Sequence, residues 1–414
     1  MPVLSVGTPL GPGSSTCGYC GPPGARSNTE TNFKKAGLIA SQLSCEAYQK
    51  MIDRGWRRSG KYCYAPDLRR SCCPQYTIRH VVQSPRIWNH FVMQGHKSET
   101  SGPPLQPDGT SSAPRPSKSE GNASKRAPPI FSLSTSIHSS ECNFIPQNEP
   151  SCHKFEVTLE PSTYSEEKYA LYVIYQRQIH HDENNTPEDF KGFLVKSPLI
   201  NEPIPYPANP PAHLPSQYGS FHQMYRLDGE LIAVGVIDIL PGCVSSVYFM
   251  YDPRYEKHSL GKLSALREAS LAREMHDAGV TNVTSLFMGF YIHSCPKMKY
   301  KGEYSPSYLI DPEEFTWFPL VHCIPQLERF RYATFAYPEH SLEGPQDPGE
   351  GPPVRVSEEL LSEVMVIYSM QHGTISVIPI TSSYRWDDEY SREEILSCIG
   401  ALGDELSKEI IFRQ

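Results

Sequence analysis

The sequence of 414 residues has no run of about 18 apolar residues, the length that a membrane-spanning helix needs. Residues 1–15 are rich in Gly, Pro and Ser and lack the basic flank and apolar core of a secretory signal. Positive charge is also in deficit, because 38 Lys and Arg oppose 46 Asp and Glu, and a net charge of −8 argues against indiscriminate binding to nucleic acid. We therefore expect a soluble, intracellular protein that binds neither membranes nor DNA.

Cysteine is plentiful, with 12 residues, but a disulfide framework is typical of small secreted domains rather than of a long intracellular chain. Cys17 and Cys20 form a Cys-x-x-Cys motif, and Cys72 and Cys73 add a second pair. Four thiolates suit tetrahedral zinc or an iron–sulfur cluster. Neighbouring side chains tend to point apart, so His80 could replace one of the adjacent cysteines, or one could be a reactive thiol. The alternative is a set of buried, inert thiols.

A basic segment, residues 50–80, overlaps the second cysteine pair. Its Lys and Arg residues are opposed only by Asp53 and Asp67, and aromatic residues are interleaved with them. This mixture suits phosphate contact combined with stacking on unpaired bases, although a solvated surface is the common reading of a lone charge run. The basic residues are Lys50, Arg54, Arg57, Arg58, Lys61, Arg69, Arg70 and Arg79.

Composition divides the chain into three regions. Residues 1–95 hold half of the cysteines and the basic segment. Residues 96–150 are rich in Ser, Pro and Gly, so they cannot bury enough apolar surface to offset their ordering entropy, and we predict a disordered linker there. Residues 151–414 have the apolar patterns of a globular domain.

Strand and helix patterns follow one another in the third region. Residues 231–240 form a nearly continuous apolar run, which predicts a buried strand, and 244–251 predict its hairpin partner. The segment 260–279, opened by Ser259, predicts a helix, and 284–292 predict a third strand. This order places an antiparallel pair beside a right-handed crossover to a parallel neighbour.

Apolar residues at helical spacing predict three further helices. One spans 31–55, a second spans 168–181, and a third begins near Ser391. In the last of these, the apolar stripe runs from Ile395 to Ile410.

Two blocks of sequence stand out. The first contains the segments CGYC, RGWRRSGKYCYAP and CCPQYTIR of the N-terminal region, and the second contains residues 218–268 and 288–313. Both blocks resemble eukaryotic arginyltransferases. The resemblance implies an α+β fold, with a GNAT-like acyltransferase core at residues 155–414 and an N-terminal Cys-rich metal-binding domain.

The same resemblance implies an aminoacyltransferase that moves arginine from arginyl-tRNA to the N-terminal α-amine of proteins beginning with Asp, Glu or oxidised Cys. Such arginylation would mark proteins for ubiquitin-mediated degradation by the N-degron pathway, in the cytoplasm and also in the nucleus. The ester is already activated, and an α-amine has a pKa of about 7.7–8.0, so catalysis rests mainly on positioning, on removal of the amine proton and on stabilisation of the oxyanion. No nucleotide cofactor is needed.

A GNAT-like core uses backbone amides at a point where two strands separate, which we expect near residues 248–252. Asp252 is the first candidate to accept the amine proton or to hold the arginyl guanidinium, although Asp before Pro is also a common turn residue. We add Tyr251 beside it, together with His222 and Tyr225, which the resemblance places at the active-site cleft.

Cations near the cleft are needed to select an acidic N-terminus. Asp238 is ionisable on an otherwise apolar strand and needs a partner, which is either a cationic substrate or a protein arginine. Ser259 opens the crossover helix, where the Gly-rich loop that binds the CoA pyrophosphate in acetyltransferases is missing, and this favours tRNA as the donor. The predicted substrate- and tRNA-binding residues are Arg57, Arg58, Lys61, Arg79, Lys297, Lys299, Lys301, Ser259 and Asp238.

Two other functions stay open at this point. One is a CoA-dependent N-acetyltransferase, which shares the fold but uses another donor. The other is a non-enzymatic, metal-dependent RNA-binding sensor, which rests on the cysteines and the basic segment alone.

Overall fold

The computed structural model describes residues 3–22, 25–83, 132–145, 152–344, 347–349, 354–371 and 374–413. Over these residues the chain forms two mixed β-sheets with helices packed against them. The strands are β1 (Ser5–Leu10), β2 (Gly13–Thr16), β3 (Glu30–Gln42), β4 (Arg57–Ser59), β5 (Tyr62–Pro66), β6 (Tyr76–Val81), β7 (Phe155–Pro161), β8 (Glu202–Pro203), β9 (Gln217–Leu227), β10 (Glu230–Leu240), β11 (Cys243–Tyr251), β12 (Ser285–Tyr291), β13 (Ser307–Ile310), β14 (Trp317–Pro319), β15 (Met365–Gln371), β16 (Thr374–Pro379) and β17 (Ile410–Arg413).

The helices are short, and α5 is the longest of those in the described ranges. None of the helices described is both long and apolar enough to cross a membrane. They are α1 (Cys45–Ile52), α2 (Leu133–His138), α3 (Glu166–Tyr175), α4 (Pro187–Phe190), α5 (Leu260–Asp277), α6 (Pro296–Lys299), α7 (Leu320–Arg329), α8 (Glu358–Glu363), α9 (Tyr384–Asp387), α10 (Glu389–Leu402) and α11 (Asp404–Glu409).

The large sheet has the order β14-β13-β6-β12-β11-β10-β9-β7, with β8 paired to β9. Strand β10 is buried along its length after Glu230, which explains its continuous apolar sequence. The predicted hairpin β10–β11 is confirmed, as are helix α5 and the parallel pairing of β12 with β11. Val234 and Val236 of β10 pack with α3 and α4, whereas Gly235 between them faces Ser264 of α5. Strand β10 is therefore covered on both faces.

The small sheet has the order β16-β15-β17-β1-β3-β5-β4, with β2 paired to β3. Strand β1 lies parallel to β17, with Ser5 opposite Ile410. Strand β6 follows β5 in the chain but belongs to the large sheet, where it lies between β12 and β13. Both sheets thus contain strands from each side of the predicted linker at 96–150.

Two of the predicted helices are wrong in part. Residues 31–55 begin as strand β3 and become helical only at α1, because β3 pairs with β1, β2 and β5 and these ladders outweigh the helical spacing of its apolar residues. The C-terminal helix breaks at Gly403, whose φ of +76° interrupts the helical backbone, and Ile410 starts β17 instead of ending the stripe. The predicted helix at 168–181 is confirmed as α3, continued by a π-helical turn at Gln176–His180.

Most of the predicted disordered linker, residues 96–131 and 146–150, lies outside the described residues. Its segment 132–145 is described and is ordered, which corrects the prediction there. Ser132 caps α2, and Leu133 and Ile137 are buried where α2 packs against α5. The few apolar residues of this segment therefore suffice to dock it.

Candidate functional site

The parallel strands β11 and β12 separate after three residue pairs, although both strands continue. Their pairing runs from Cys243–Ser285 only to Ser245–Phe287. Just beyond this point β11 carries a bulge against β10, and β12 shifts its register against β6. Gly289 lies at the second irregularity with a φ of +70°, a left-handed backbone that glycine adopts without strain. Bulges of this kind open a sheet next to active sites.

A cavity of about 290 Å³ fills the opening between the two strands. Its walls come from α1, β4 and β5 of the N-terminal region, from β11 and β12, and from the segment after β12. The opening lies slightly upstream of the predicted position at 248–252. The lining residues include Tyr48, Tyr64, Ser245, Ser246, Val247, Tyr248, Phe249, Met288, Gly289 and Phe290.

Three cationic side chains, Arg57, Arg58 and Lys301, line this cavity. Arg58 is paired with Asp238, whereas Arg57 and Lys301 form no salt bridge with a described residue. Arg57 is buried, donates from Nη2 to the Gly289 carbonyl at 3.3 Å, and leaves its Nε without a hydrogen-bond partner among the described atoms. Lys301 Nζ donates to the Phe290 carbonyl at 2.8 Å. The Lys301 residue keeps part of its surface exposed, but its amine is enclosed, and desolvation lowers the pKa of Lys301 to about 7.

Glu268 of α5 adds a buried acid behind the cavity. Burial raises the pKa of Glu268 to about 7, and its Oε1 accepts a hydrogen bond from the Ser264 hydroxyl at 2.7 Å. Ser246, which lines the cavity, also interacts with this carboxyl group. The group therefore titrates near neutral pH, within reach of the cavity wall.

The structure brings the predicted cysteine ligands together, including both of the adjacent residues. The four Sγ atoms of Cys17, Cys20, Cys72 and Cys73 all lie within 4.8 Å of one another. Sulfur atoms bound at about 2.3 Å to one tetrahedral ion are roughly 3.8 Å apart, which is compatible with this upper limit on their separation. A hydrogen bond from the Cys73 thiol lowers the pKa of Cys72 to about 5, which favours a thiolate. These residues could hold a metal.

His80 does not belong to the cysteine group, so the prediction that it might replace a cysteine is wrong. It lies in β6, where its Nδ1 is 2.9 Å from the Ser307 hydroxyl and its ring contacts Tyr304. Burial lowers the pKa of His80 to about 3, so the ring is neutral.

The cysteine group and the cavity are neighbours through the segment that follows β12. Cys17 and Cys73 pack against Ile292 and Cys295 of this segment, and Met298 contacts the same cluster. Met298 also lines the cavity. A cross-link at the cysteines would therefore fix the segment 292–301, which carries Lys301.

Arg58 and Asp238 form a buried ion pair, which answers one of the questions left by the sequence. The Arg58 guanidinium donates to both carboxylate oxygens of Asp238, at 2.8 and 2.5 Å, and to Ser220 at 3.0 Å. The partner of Asp238 is thus a protein arginine and not a substrate cation. The pair joins β4 of the small sheet to β9 and β10 of the large sheet.

The predicted catalytic residues are not among those that line the cavity. The Asp252 carboxylate accepts from the backbone and side chain of Arg254, and this interaction lowers its pKa. Tyr251 packs on the ring of Tyr175, at 5.2 Å between centroids. These contacts of Asp252 are those of a turn residue.

His222 and Tyr225 of β9 are also buried away from the cavity lining. His222 Nε2 is 2.9 Å from the Leu194 carbonyl, and burial lowers the pKa of His222 to about 4. The Tyr225 hydroxyl donates to Gln223 at 2.7 Å, and burial raises the pKa of Tyr225. The Tyr225 hydroxyl is therefore satisfied within the core, whereas His222 Nδ1 is buried without a hydrogen-bond partner among the described atoms.

The other predicted binding residues are dispersed. Lys297 and Lys299 are exposed on α6, next to the segment that lines the cavity, and Lys61 is exposed at the start of β5. Arg79 stacks on Trp317, with 4.1 Å to the ring centroid. Ser259 precedes α5 with a left-handed φ of +53° and makes no side-chain capping bond.

A larger cavity, of about 710 Å³, lies between the N-terminal region and α10. Its lining mixes cations such as Arg54 and Arg70 with acids such as Asp311 and Glu389. Of these two cavities, the smaller one lies where β11 and β12 separate.

Sequence reasoning missed Glu268 and the burial of Lys301. The available signals were an acidic residue on the apolar side of a predicted helix, and a glycine, Gly289, inside an apolar strand, which often marks a bulge.

Comparison with known proteins agrees with this architecture. Residues 15–88 match the family model described as Arginine-tRNA-protein transferase, N terminus, and residues 167–311 match the one described as Arginine-tRNA-protein transferase, C terminus. The chain is 34% identical over 427 residues to Arginyl-tRNA–protein transferase 1 of Drosophila melanogaster. The aligned region covers 80% of this chain and 85% of that protein.

Two further relatives match shorter parts of the chain. Arginyl-tRNA–protein transferase 1 of Saccharomyces cerevisiae is 33% identical over 285 residues, which are 66% of this chain and 50% of that one. Aspartate/glutamate leucyltransferase of Stutzerimonas stutzeri is 36% identical over 150 residues, which are 36% of this chain and 53% of that one.

A mixed α/β chain with these matches on both sides of its cleft is a transferase of the aminoacyltransferase class. More specifically, it belongs to the arginyl-tRNA–protein transferase family.

Proposed function

We propose that this chain transfers arginine from arginyl-tRNA to the N-terminal α-amine of proteins that begin with Asp, Glu or oxidised Cys, in the cytoplasm and nucleus. The observation that carries the proposal is the cavity between β11 and β12, with Arg57 and Lys301 in its wall. Family membership supports the donor. The similarity to bacterial enzymes named as leucyltransferases of aspartate and glutamate supports an acidic acceptor. The modified proteins would then enter N-degron-dependent degradation.

The acidic side chain of the acceptor binds to Arg57 and Lys301, the two cavity cations that form no salt bridge with a described residue. Arg57 has a free Nε and presents its guanidinium between the rings of Phe287 and Phe290, which hold its plane in place. A carboxylate arriving there receives charge-assisted hydrogen bonds from groups that have no other anionic partner among the described residues. An acceptor that starts with Ala has no side-chain carboxylate and forms none of these hydrogen bonds.

The reaction is the aminolysis of an ester. The neutral α-amine attacks the arginyl carbonyl, an amide C–N bond forms, and the ester C–O bond to the terminal ribose breaks. The amine loses a proton, and the departing ribose oxygen gains one. We assign the role of proton acceptor to Glu268, acting through Ser246, because its carboxyl group titrates near neutral pH beside the cavity. Backbone amides at the separated strands are the donors for the oxyanion.

The architecture supports a GNAT-like core. Its features are the antiparallel hairpin β10–β11, the crossover helix α5 and the parallel pair that separates halfway. In this scheme residues 1–95 form the metal-binding and basic region, 96–150 the linker, and 151–414 the catalytic domain.

The thiolates of the cysteine group would hold one tetrahedral ion, zinc rather than an iron–sulfur cluster, since the sulfur spacing is compatible with a single ion. When bound, such an ion supplies a cross-link and no redox chemistry. The position of Lys301 then depends on the chain's own residues, because Cys295 and Met298 connect the cysteine group to the segment that carries Lys301.

The exposed cations Lys61, Lys297 and Lys299 are the proposed contacts of the tRNA acceptor end. They lie on elements that border the cavity or its neighbouring segment, and exposed Lys residues suit phosphate contact. The buried ion pair of Arg58 excludes that residue from this role.

Purified protein incubated with arginyl-tRNA carrying labelled arginine, and with peptides that begin with Asp, Glu or Ala, tests the proposal. We expect label mainly on the two acidic peptides and only a small amount on the Ala peptide. Label that stays on the tRNA beside an Asp peptide refutes the transferase activity. Acetyl transfer from acetyl-CoA in the same tube would establish the acetyltransferase alternative instead.

A further inference from the structure

A second cluster of metal-ligating side chains lies outside the proposed active site. His138 ends α2, His213 lies in the loop between β8 and β9, and Glu274 lies on α5. One ligand atom of each residue lies within 4.8 Å of those of the other two. The Nε2 atoms of His138 and His213 are 3.0 and 2.6 Å from the same carboxylate oxygen, Glu274 Oε2. Three elements distant in sequence thus converge on one point.

The two imidazole rings have the mutual placement that a shared ion requires. Zinc binds imidazole nitrogen at about 2.0–2.1 Å, so two rings on one tetrahedral ion have centroids roughly 5 Å apart. The centroids of His138 and His213 are 5.2 Å apart, with 69° between the ring planes. Two histidines and a glutamate also form one of the common three-ligand zinc sets.

The surroundings orient the ligands as metal sites usually do. His138 Nδ1 is 3.1 Å from Glu141 Oε2, and this carboxylate fixes the ring so that Nε2 faces Glu274. A carboxylate on the far nitrogen is the usual second partner of a metal-bound histidine. Phe144 stacks on His138 at 3.7 Å and meets His213 edge-on at 5.0 Å, which shields one side of the cluster.

The charges of the cluster leave room for a cation. Glu141 and Glu274 contribute two negative charges, and Arg267, 2.8 Å from Glu141 and 3.8 Å from Glu274, contributes one positive charge. The Glu141 side chain is 1% exposed and that of Glu274 is 13% exposed, so water screens the remaining negative charge only weakly. Either a proton on a histidine or a metal ion must balance that charge.

We propose that His138, His213 and Glu274 form a binding site for a divalent transition-metal ion, with zinc as the ligand of first choice. The role of the ion is structural, because it fastens the segment 132–145 to α5 and to the loop before β9. The site is independent of the arginyl-transfer proposal and of the cysteine group.

Zinc content of the full-length chain tests the site without any measurement of activity. The protein is loaded with zinc, dialysed against metal-free buffer and analysed for zinc per chain by mass spectrometry. The test variant is His213→Ala, chosen because His213 is the most exposed of the three ligands. Its matched control is His153→Ala, which removes an exposed histidine that pairs with one carboxylate, Asp228, at 2.7 Å. Glu274→Gln serves as a second test variant that keeps the side-chain shape.

We expect the wild type and His153→Ala to retain one equivalent of zinc more than His213→Ala and Glu274→Gln. Cobalt substitution should add visible bands without thiolate charge transfer, and those bands should vanish in the same two variants. Equal zinc in all four proteins, or cobalt spectra that the two variants leave unchanged, overturns the proposal and shows a protonated histidine network instead. If His213→Ala does not fold, the zinc content and cobalt spectrum of Glu274→Gln decide.

Discussion

Replacing Lys301 by Met removes one of the two cavity cations that form no salt bridge with a described residue, while keeping a long, unbranched side chain. Lys301 Nζ lies 2.8 Å from the Phe290 carbonyl and 3.7 Å from Met298 Sδ, so a methionine fits the same space. Because Lys301 forms no salt bridge with a described residue, the change leaves no partner carboxylate buried and unpaired. We therefore expect the melting temperature to stay near that of the wild type.

The effect on activity depends on the acceptor. A hydrogen bond to a charged group contributes about 1.5–3 kcal/mol, which corresponds to a loss of about 10- to 160-fold in kcat/KM for a peptide that begins with Asp. A peptide that begins with Ala has no carboxylate to lose, so its low kcat/KM should change by less than about threefold. Initial rates with labelled arginyl-tRNA at several peptide concentrations give both values.

Lys299→Met is the matched control for this experiment, since Lys299 lies on the same segment but is exposed. We expect the control to leave the ratio of the Asp and Ala peptides unchanged. An equal loss for both peptides in Lys301→Met would refute the reasoning, because it would place Lys301 on the donor side of the reaction.

Glu268→Gln should lower the slope of log kcat/KM against pH, measured below about pH 7, from about 2 to about 1, because the α-amine must still lose its proton but the carboxylate, whose pKa burial raises to about 7, no longer titrates; a slope that stays near 2 would contradict the assignment. Asp252→Asn should reduce the rate less than Glu268→Gln does, because Asp252 pairs with Arg254; a larger loss would restore it as the candidate base. Arg58→Met should cost about 3–5 kcal/mol of unfolding free energy in urea denaturation, because it leaves Asp238 buried without its cation; an unchanged midpoint would show that the pair is not buried in solution. Cys72→Ser should lower both zinc content and thermal stability; unchanged zinc content would argue against the cysteine group as a metal site.

Sequence patterns predicted those parts of the fold that depend on near neighbours. The hairpin β10–β11 follows from one apolar run and its turn, and the four cysteines could be paired by spacing alone. Helix α5 was predictable for the same reason, because its apolar face repeats within a few turns.

The parts that sequence could not predict depend on distant partners. Strand β3 has helical apolar spacing, and only its ladders with β1, β2 and β5 make it a strand. The environment of Lys301 is set by β4 and β12, so a residue that looks solvated in the sequence has an enclosed amine. Asp238 was correctly identified as needing a partner, but the identity of that partner, Arg58, is fixed by the packing of one sheet against the other.

The parallel pairing of β1 with β17 has a consequence for biosynthesis. Residues Ser5–Leu10 leave the ribosome long before their neighbour Ile410–Arg413, because the rest of the two sheets lies between them in the chain. Until then one edge of β1 stays open to strands of other chains, which is the usual route to aggregation. We expect messages that end before residue 410 to yield a product that chaperones retain and proteases remove, even though every cavity residue has already been translated.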